Sequence, residues 1–124
     1  MTNELCAQIK INLEKVLNNV YRSKADEDAM YPHAVFSITG PTPDNDWSSK
    51  KVYELIIDVY TKDDEPRANE LMDEIIEIFS YLYNESNEVL ASYFFKNAQP
   101  IIDEDKTINH KQIKYEIESY RGGN

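Results

Sequence analysis

The feature that most constrains the fold is a strict alternation of apolar and polar side chains near the C-terminal end. In an extended backbone, one side carries Ile113, Tyr115 and Ile117, and the other carries Gln112, Lys114, Glu116 and Glu118. A period of two with one apolar side is typical of a half-buried antiparallel strand. The pattern predicts a strand over about residues 110–120, in a sheet that covers a core with one face.

Three other segments read as strands. Residues 34–39 place Ala34, Phe36 and Ile38 on one side, and residues 52–61 do the same with Tyr53, Leu55, Ile57 and Val59. Ile56 and Tyr60 make the second side of that strand less polar than open solvent requires. Residues 90–98 predict a strand whose register stays open, because its aromatic residues fit neither parity.

Two amphipathic helices accompany these strands. Thr2 or Asn3 can cap the first, which is expected to fade near Tyr21. Its buried stripe follows three- and four-residue spacing, which leaves Ile11 exposed. The segment Asp63-Asp64-Glu65-Pro66 predicts the start of the second helix, since carboxylates and proline both suit a first turn. That helix is expected to end near Asn84.

The order helix, strand, strand, helix, strand, strand predicts one α+β domain over residues 1–124. Hairpins separated by two amphipathic helices indicate an antiparallel-rich sheet of about four strands with both helices on one face. The expected core consists of the residues that share the apolar sides of these elements: Leu13, Val16, Val20, Phe36, Ile38, Leu55, Ile57, Val59, Leu71, Ile75, Phe79, Ile113 and Tyr115.

Charge and composition argue against several classes of function. The formal net charge is −10, with 13 basic and 23 acidic residues, so a dedicated nucleic-acid-binding surface is not expected. The apolar runs are too short to span a membrane, and the N-terminus lacks the pattern of a signal peptide. Cys6 is the only cysteine and is expected to be a small buried helix residue.

The sequence contains no recognisable motif for catalysis, metal binding or cofactor binding. The chain has only three glycines, which cannot build a phosphate-binding loop. His33 and His110 are expected at the surface, and their positions form no metal-binding motif with Cys6. Asp44, Asp46 and Ser48 resemble half of a calcium loop, but Ser49 and Leu55 occupy the positions that need glycine and glutamate. We therefore expect no enzyme activity, metal or cofactor.

Aromatic residues are the more unusual signal, with nine Tyr, four Phe and one Trp. Tyrosine suits protein interfaces, although strand propensity alone also explains much of this content. Trp47 lies in a polar loop between prolines and a strand, where no periodic core position requires it. It either folds back over the sheet edge or contacts a partner.

The acidic turn over residues 100–106, followed by the alternating strand, resembles the C-terminal hairpin of tail-terminator (tail-completion) proteins of tailed bacteriophages. The segment Tyr31-Pro32-His33-Ala34-Val35-Phe36 is similar to the family's entry into its first strand. This resemblance implies a small non-enzymatic α/β protein that forms a ring, usually a hexamer. The ring caps the finished tail tube and joins it to the head connector.

The resemblance also implies partners and a location. The partners would be further copies of the chain, the tail-tube protein and the head-connector protein, in the tail or neck of a virion made in a bacterial cytoplasm. Subunit contacts are expected at strand edges or aromatic residues, with Trp47, Asp44 and Asp46 at a partner interface. The alternatives are a head-closure or minor capsid protein, or a small ligand-binding regulatory domain.

DNA would pass through such a ring without specific binding, and an acidic lining would keep the duplex sliding. The expected lumen or rim carboxylates are those of two loops: Asp26, Glu27, Asp28, Asp44 and Asp46. The pattern does not choose between the loops, and each carboxylate has the alternative of simply solvating the surface.

Overall fold

A computed structural model of the chain describes residues 2–42, 50–80, 83–85 and 89–121. The elements in chain order are α1 (Thr2–Leu13), β1 (Val20–Arg22), β2 (His33–Thr42), β3 (Lys50–Lys62), α2 (Glu65–Ser80), β4 (Tyr83–Glu85), β5 (Val89–Ile101) and β6 (Ile108–Arg121). Among the described helices, neither combines the length and apolar content that crossing a membrane demands.

The described strands form one six-stranded sheet in the order β1-β2-β3-β6-β5-β4. Each neighbouring pair among the four long strands is antiparallel, as predicted. At the centre of the sheet, β3 pairs with β6 along its whole length. The prediction of four strands missed two three-residue strands at the edges. One of them, β1, runs parallel to β2, so the sheet is mixed.

The predicted end of the first helix is wrong. Instead of continuing to Tyr21, α1 stops at Leu13 and a turn follows, in which the Val16 and Leu17 amides donate to the Leu13 carbonyl at 2.9 and 3.2 Å. Asn18-Asn19 favours a turn, and the carbonyl of Asn19 then accepts from the amide of Ala34 at 2.9 Å. The backbone of residues 20–22 therefore bonds to β2 rather than to a helix.

Both helices pack on one face of the sheet, as predicted. The strand residues in the core all belong to a single face, and they form one cluster with Leu5, Ile9, Leu71, Ile75 and Phe79 from the helices. The predicted core residues are buried except for Val16 and Ile38, which are partly buried against the same cluster. Ile11 is 56% exposed, which confirms that it lies off the apolar stripe of α1.

A β-bulge explains the unclear register of the third predicted strand. Phe95 pairs with Tyr115, and the next pair joins Asn97 to Lys114, so Lys96 is an extra residue in β5. A bulge shifts the alternation by one residue. Before it the odd-numbered residues face the helices; after it the even-numbered residues do, beginning with Ala98, which pairs with Ile113.

Local contacts define where α2 begins. The carboxylate of Asp64 accepts from the amide of Arg67 at 3.1 Å, and the carbonyl of Asp64 accepts from the hydroxyl of Thr61 at 2.7 Å. Asp64 thus satisfies one of the free amides in the first turn of the helix. These contacts connect the end of β3 directly to α2, which holds Leu71 and Ile75 over the sheet.

Candidate functional site: the open face of the sheet

The face of the sheet opposite the helices is the candidate site, and we call it the open face. Neither described helix contributes to it, since the core cluster draws its strand residues from the other face alone. On β3 and β6 the open face consists of the even-numbered residues. It contains both charged side chains, such as Glu54 and Lys114, and half-buried ones, such as Ile56 and Tyr60.

An aromatic ladder crosses three strands of the open face. His33, Tyr60 and His110 are direct neighbours in the register of β2, β3 and β6. The ring of Tyr60 stacks on His33 with centroids 4.9 Å apart and on His110 with centroids 4.3 Å apart. Tyr31 and Tyr21 approach the outer side of His33, at 4.9 and 6.1 Å. Five rings therefore form one continuous surface.

Asp58 holds one end of this ladder in place. Its Oδ1 atom lies 2.6 Å from Nε2 of His110 and accepts from Nε2 of Gln112 at 3.0 Å. The side chains of His110 and Asp58 are only 12% and 20% exposed. A carboxylate that bonds to an imidazole fixes its tautomer and orientation. Asp58 thus sets the plane against which Tyr60 stacks.

His33 is buried in an unusual way for a residue on an uncovered face. It is only 6% exposed, and among the residues that the structure describes its Nδ1 atom has no hydrogen-bond partner. Burial lowers the pKa of His33 below its ordinary value, and a hydrogen bond with the backbone at Met30 partly opposes this shift. The imidazole is therefore neutral at physiological pH, and it contributes a flat ring rather than a charge.

This arrangement predicts a pH dependence of stability. Because the pKa of His33 is lower in the folded chain than in the unfolded chain, the unfolded chain takes up a proton at a higher pH. The free energy of unfolding therefore decreases as the pH falls below the pKa of the unfolded chain, near 6.5. The His33→Phe variant keeps a stacking ring but does not titrate. We expect wild type to lose more stability than His33→Phe between pH 7.5 and 5, as measured by urea unfolding at each pH. Parallel curves would contradict the assignment.

The expectation that both histidines lie at the surface is wrong. His33 and His110 are more than seventy residues apart in the sequence, and there each one is an isolated polar residue beside a turn. Only the pairing of β2 and β6 with β3 brings both onto Tyr60. The usable signal was Tyr60 itself, an aromatic residue on the polar side of a strand.

Tyr60 acts as a neutral phenol in this cluster. Burial raises its pKa, and the negative charges of Asp58 and Asp103 raise it further. The open face thus offers a neutral aromatic surface with hydrogen-bonding groups at its rim. Such a surface is suited to contact with another protein.

The predicted lumen and interface residues occupy different parts of the chain. Asp26, Glu27 and Asp28 are exposed in the loop that connects β1 and β2. Asp44, Asp46 and Trp47 lie outside the described residues. The structure does bring a larger set of carboxylates to the solvent side of α2: Glu65, Glu70, Asp73, Glu74 and Glu77. Arg67 is the one basic residue of α2, and it pairs with Glu70 and Glu74.

The acidic turn between β5 and β6 uses its carboxylates to hold its own backbone. Oδ1 of Asp105 accepts from the amide and the hydroxyl of Thr107 at 2.9 and 2.7 Å. These bonds lower the pKa of Asp105. Oδ1 of Asp103 accepts from the amide of Asp105 at 3.0 Å. The turn is therefore shaped by local side-chain bonds of the kind that aspartate makes in turns.

Cys6 is confirmed as a buried helix residue, 4% exposed and unpaired. Burial raises the pKa of its thiol, although Arg22 opposes the shift. A protonated, buried thiol is a poor nucleophile. In the part of the chain that the structure describes, no group of three or more His, Cys, Asp or Glu side chains is placed to hold a metal ion.

No protein-family model matches the chain, and no curated protein matches it either. Solved structures do match. One is a chain from the virion of a native gene transfer agent (GTA) particle, with a TM-score of 0.64 and 12% identity over 89% of this chain and 84% of that one. Another is the gp17 protein of bacteriophage SPP1, with a TM-score of 0.52 and 20% identity over 94% and 86%. At these identities the matches establish a shared fold.

Proposed function

We propose that this chain is a structural protein of a tailed phage or related particle that acts where head and tail join, as a tail terminator. The observation that carries the proposal is the shared fold, which extends over 89% of the chain in a virion protein of a gene transfer agent particle. A bacteriophage protein has the same fold over 94% of the chain. The acidic hairpin and the strand entry at Tyr31-Pro32 support the same family independently.

The surfaces of the molecule fit a role in assembly. The open face presents a neutral aromatic ladder, and several large apolar side chains outside the ladder are exposed, among them Phe94, Phe95 and Ile102. Exposed apolar groups of this kind are typical of protein contacts. In the proposed ring the partners are further copies of the chain, the tail-tube protein and the head-connector protein.

We further propose that carboxylates face the DNA path. The loop with Asp26, Glu27 and Asp28 is one candidate for the rim, and the undescribed segment with Asp44 and Asp46 is the other. An acidic rim repels the phosphates of DNA and so leaves the duplex free to move. Trp47 remains a proposed contact with a partner.

The proposal is tested by deleting the coding sequence from the phage or prophage genome that carries it and examining particles by electron microscopy. We expect DNA-filled heads and unattached tails, with tails of irregular length because no ring stops their growth. Wild-type protein supplied in trans should restore joined virions. Joined, infectious virions without the chain would refute the proposal.

The same assay separates the alternative functions. Unattached tails of normal length beside leaking heads would identify a head-closure protein, and normal tails with defective shells would identify a minor capsid protein. Supplying a variant with lysine at positions 26, 27 and 28 tests the acidic rim. Normal DNA ejection from the joined particles would exclude that loop from the DNA path.

A further inference from the structure

Two long strands of the sheet keep a stretch of free outer edge. The short strand β1 pairs only with Ala34–Phe36 of β2, and β4 pairs only with Leu90–Ser92 of β5. In the described part of the chain, no strand pairs with the outer edge of β2 over residues 37–42 or of β5 over residues 94–101. Such an edge offers unsatisfied amides and carbonyls to another strand.

Among the four long strands, the distribution of charge is the reverse of what an isolated sheet needs. Proteins usually place charged side chains on edge strands to block pairing with other chains. Of the four long strands, only the central β3 and β6 carry carboxylates, at Glu54, Asp58, Glu116 and Glu118, while the short outermost strands β1 and β4 end in Arg22 and Glu85. The two longest stretches of the chain without Asp or Glu are residues 29–43 and 89–102, which contain β2 and β5.

Lys96 is the only formal charge in either stretch. In a chain of net charge −10, two copies can approach each other along these edges without bringing carboxylates together. Charge therefore does not oppose contact between the edge of β2 and the edge of β5, whereas two acidic surfaces, such as the solvent sides of α2 in two copies, would repel each other.

Exposed aromatic rings lie directly beside one of these edges. Phe94 and Phe95 are 46% and 48% exposed and point to opposite faces of β5, since they are consecutive residues of a strand. Phe94 lies next to Glu116 on the open face, and Phe95 lies against Tyr115 with ring centroids 5.7 Å apart. A strand docked on this edge would cover part of both rings.

We infer that the outer edge of β5 in one copy of the chain docks on the outer edge of β2 in the next copy. This inference rests on the ring of the proposed function and names its subunit contact. The two edges lie on opposite sides of the sheet, so the contact is head-to-tail, the kind of contact that generates a ring when its rotation closes. Pro41 and Pro100 lack amide hydrogens, so the ladder is short and burial of the phenylalanine rings completes the contact.

Three variants that each add one carboxylate test the contact. Thr39→Glu places it on β2 and Asn97→Glu places it on β5, while Asn69→Glu places it on the exposed side of α2 as the matched control. All three positions are exposed, and thermal unfolding verifies that each variant is folded. Sedimentation velocity over a concentration series then measures self-association.

We expect the wild-type chain and Asn69→Glu to form the same multimer. Thr39→Glu and Asn97→Glu should need about 100-fold higher concentration, because a carboxylate desolvated at an interface without a partner is costly. In an equimolar mixture, Thr39→Glu supplies an intact β5 edge and Asn97→Glu supplies an intact β2 edge. These two edges fit each other, and the remaining two are blocked, so the mixture should stop at dimers.

Failure of this inference and failure of the proposed function look different. If the wild-type chain forms a ring and both edge variants form it at the same concentration, the edge contact is wrong and the ring stands. If the wild-type chain sediments as a monomer at every concentration, the self-assembling ring is refuted together with its contact.

Discussion

Replacing Phe79 by alanine is expected to lower the free energy of unfolding by about 3–5 kcal/mol. Phe79 is fully buried near the end of α2, and its ring contacts Tyr93 and Tyr115 with centroids 5.4 and 5.7 Å apart. Phe79 therefore contacts both β5 and β6. The loss combines the transfer of a large apolar side chain with an unfilled cavity, and the two aromatic contacts are lost as well. Urea unfolding followed by circular dichroism measures it.

Phe94→Ala is the matched control for this change. The same atoms are removed, but Phe94 is 46% exposed on the open face. Less than about 1.5 kcal/mol should be lost, because little apolar surface leaves a buried environment. Since domains of this kind are stable by only about 5–15 kcal/mol, Phe79→Ala should leave the chain close to unfolding while Phe94→Ala should not. Similar losses for both variants would contradict the assignment of the core to the helix face.

Ile57→Ala should produce the second-largest effect, about 2–5 kcal/mol. Ile57 lies at the centre of β3 between Phe36 and Ile113, and it is fully buried beneath the helices. The same unfolding experiment reports this loss.

Ile56→Ala provides a control one residue away. Ile56 points to the open face between Ser37 and Lys114 and is only partly buried. The intrinsic strand preference of isoleucine over alanine is lost in both variants, so the difference between them isolates burial under the helices. We expect Ile56→Ala to cost about 1 kcal/mol. Equal losses would show that a second layer covers the open face of the isolated chain.

Alternation along the central strands was readable from the sequence because it is local. Ile113, Tyr115 and Ile117 are fully buried, as their spacing predicts, and so are Leu55 and Ile57. A residue's side of a strand depends only on its parity, and its side of a helix depends only on its spacing. The same reasoning identified the start of α2 and the exposure of Ile11. The predicted end of that helix near Asn84 is wrong, because α2 ends at Ser80 and Asn84 lies in β4, where it pairs with Ala91 of β5.

Features that depend on competition between segments were not readable. Residues 16–20 continue an apolar helical stripe, yet the backbone of residues 20–22 bonds to β2 because that edge offers partners. The extra residue Lys96 in β5 is visible only against the register of β6. Nothing within residues 90–98 reveals which residue lacks a cross-strand partner.

The sequence by itself determined the class of the fold, which strand residues share the apolar face of the sheet, and most of the core. It did so because periodicity encodes which side of each element is apolar. Only the tertiary structure decided the strand order, and the candidate surfaces depend on that order. His33, Tyr60 and His110 are distant in the chain and meet because β2 and β6 both pair with β3. In the described part of the chain, the outer edges of β2 and β5 likewise extend beyond β1 and β4 because those two strands are short. Pairing between strands is a contact between distant segments, and a local pattern carries no information about which segments pair.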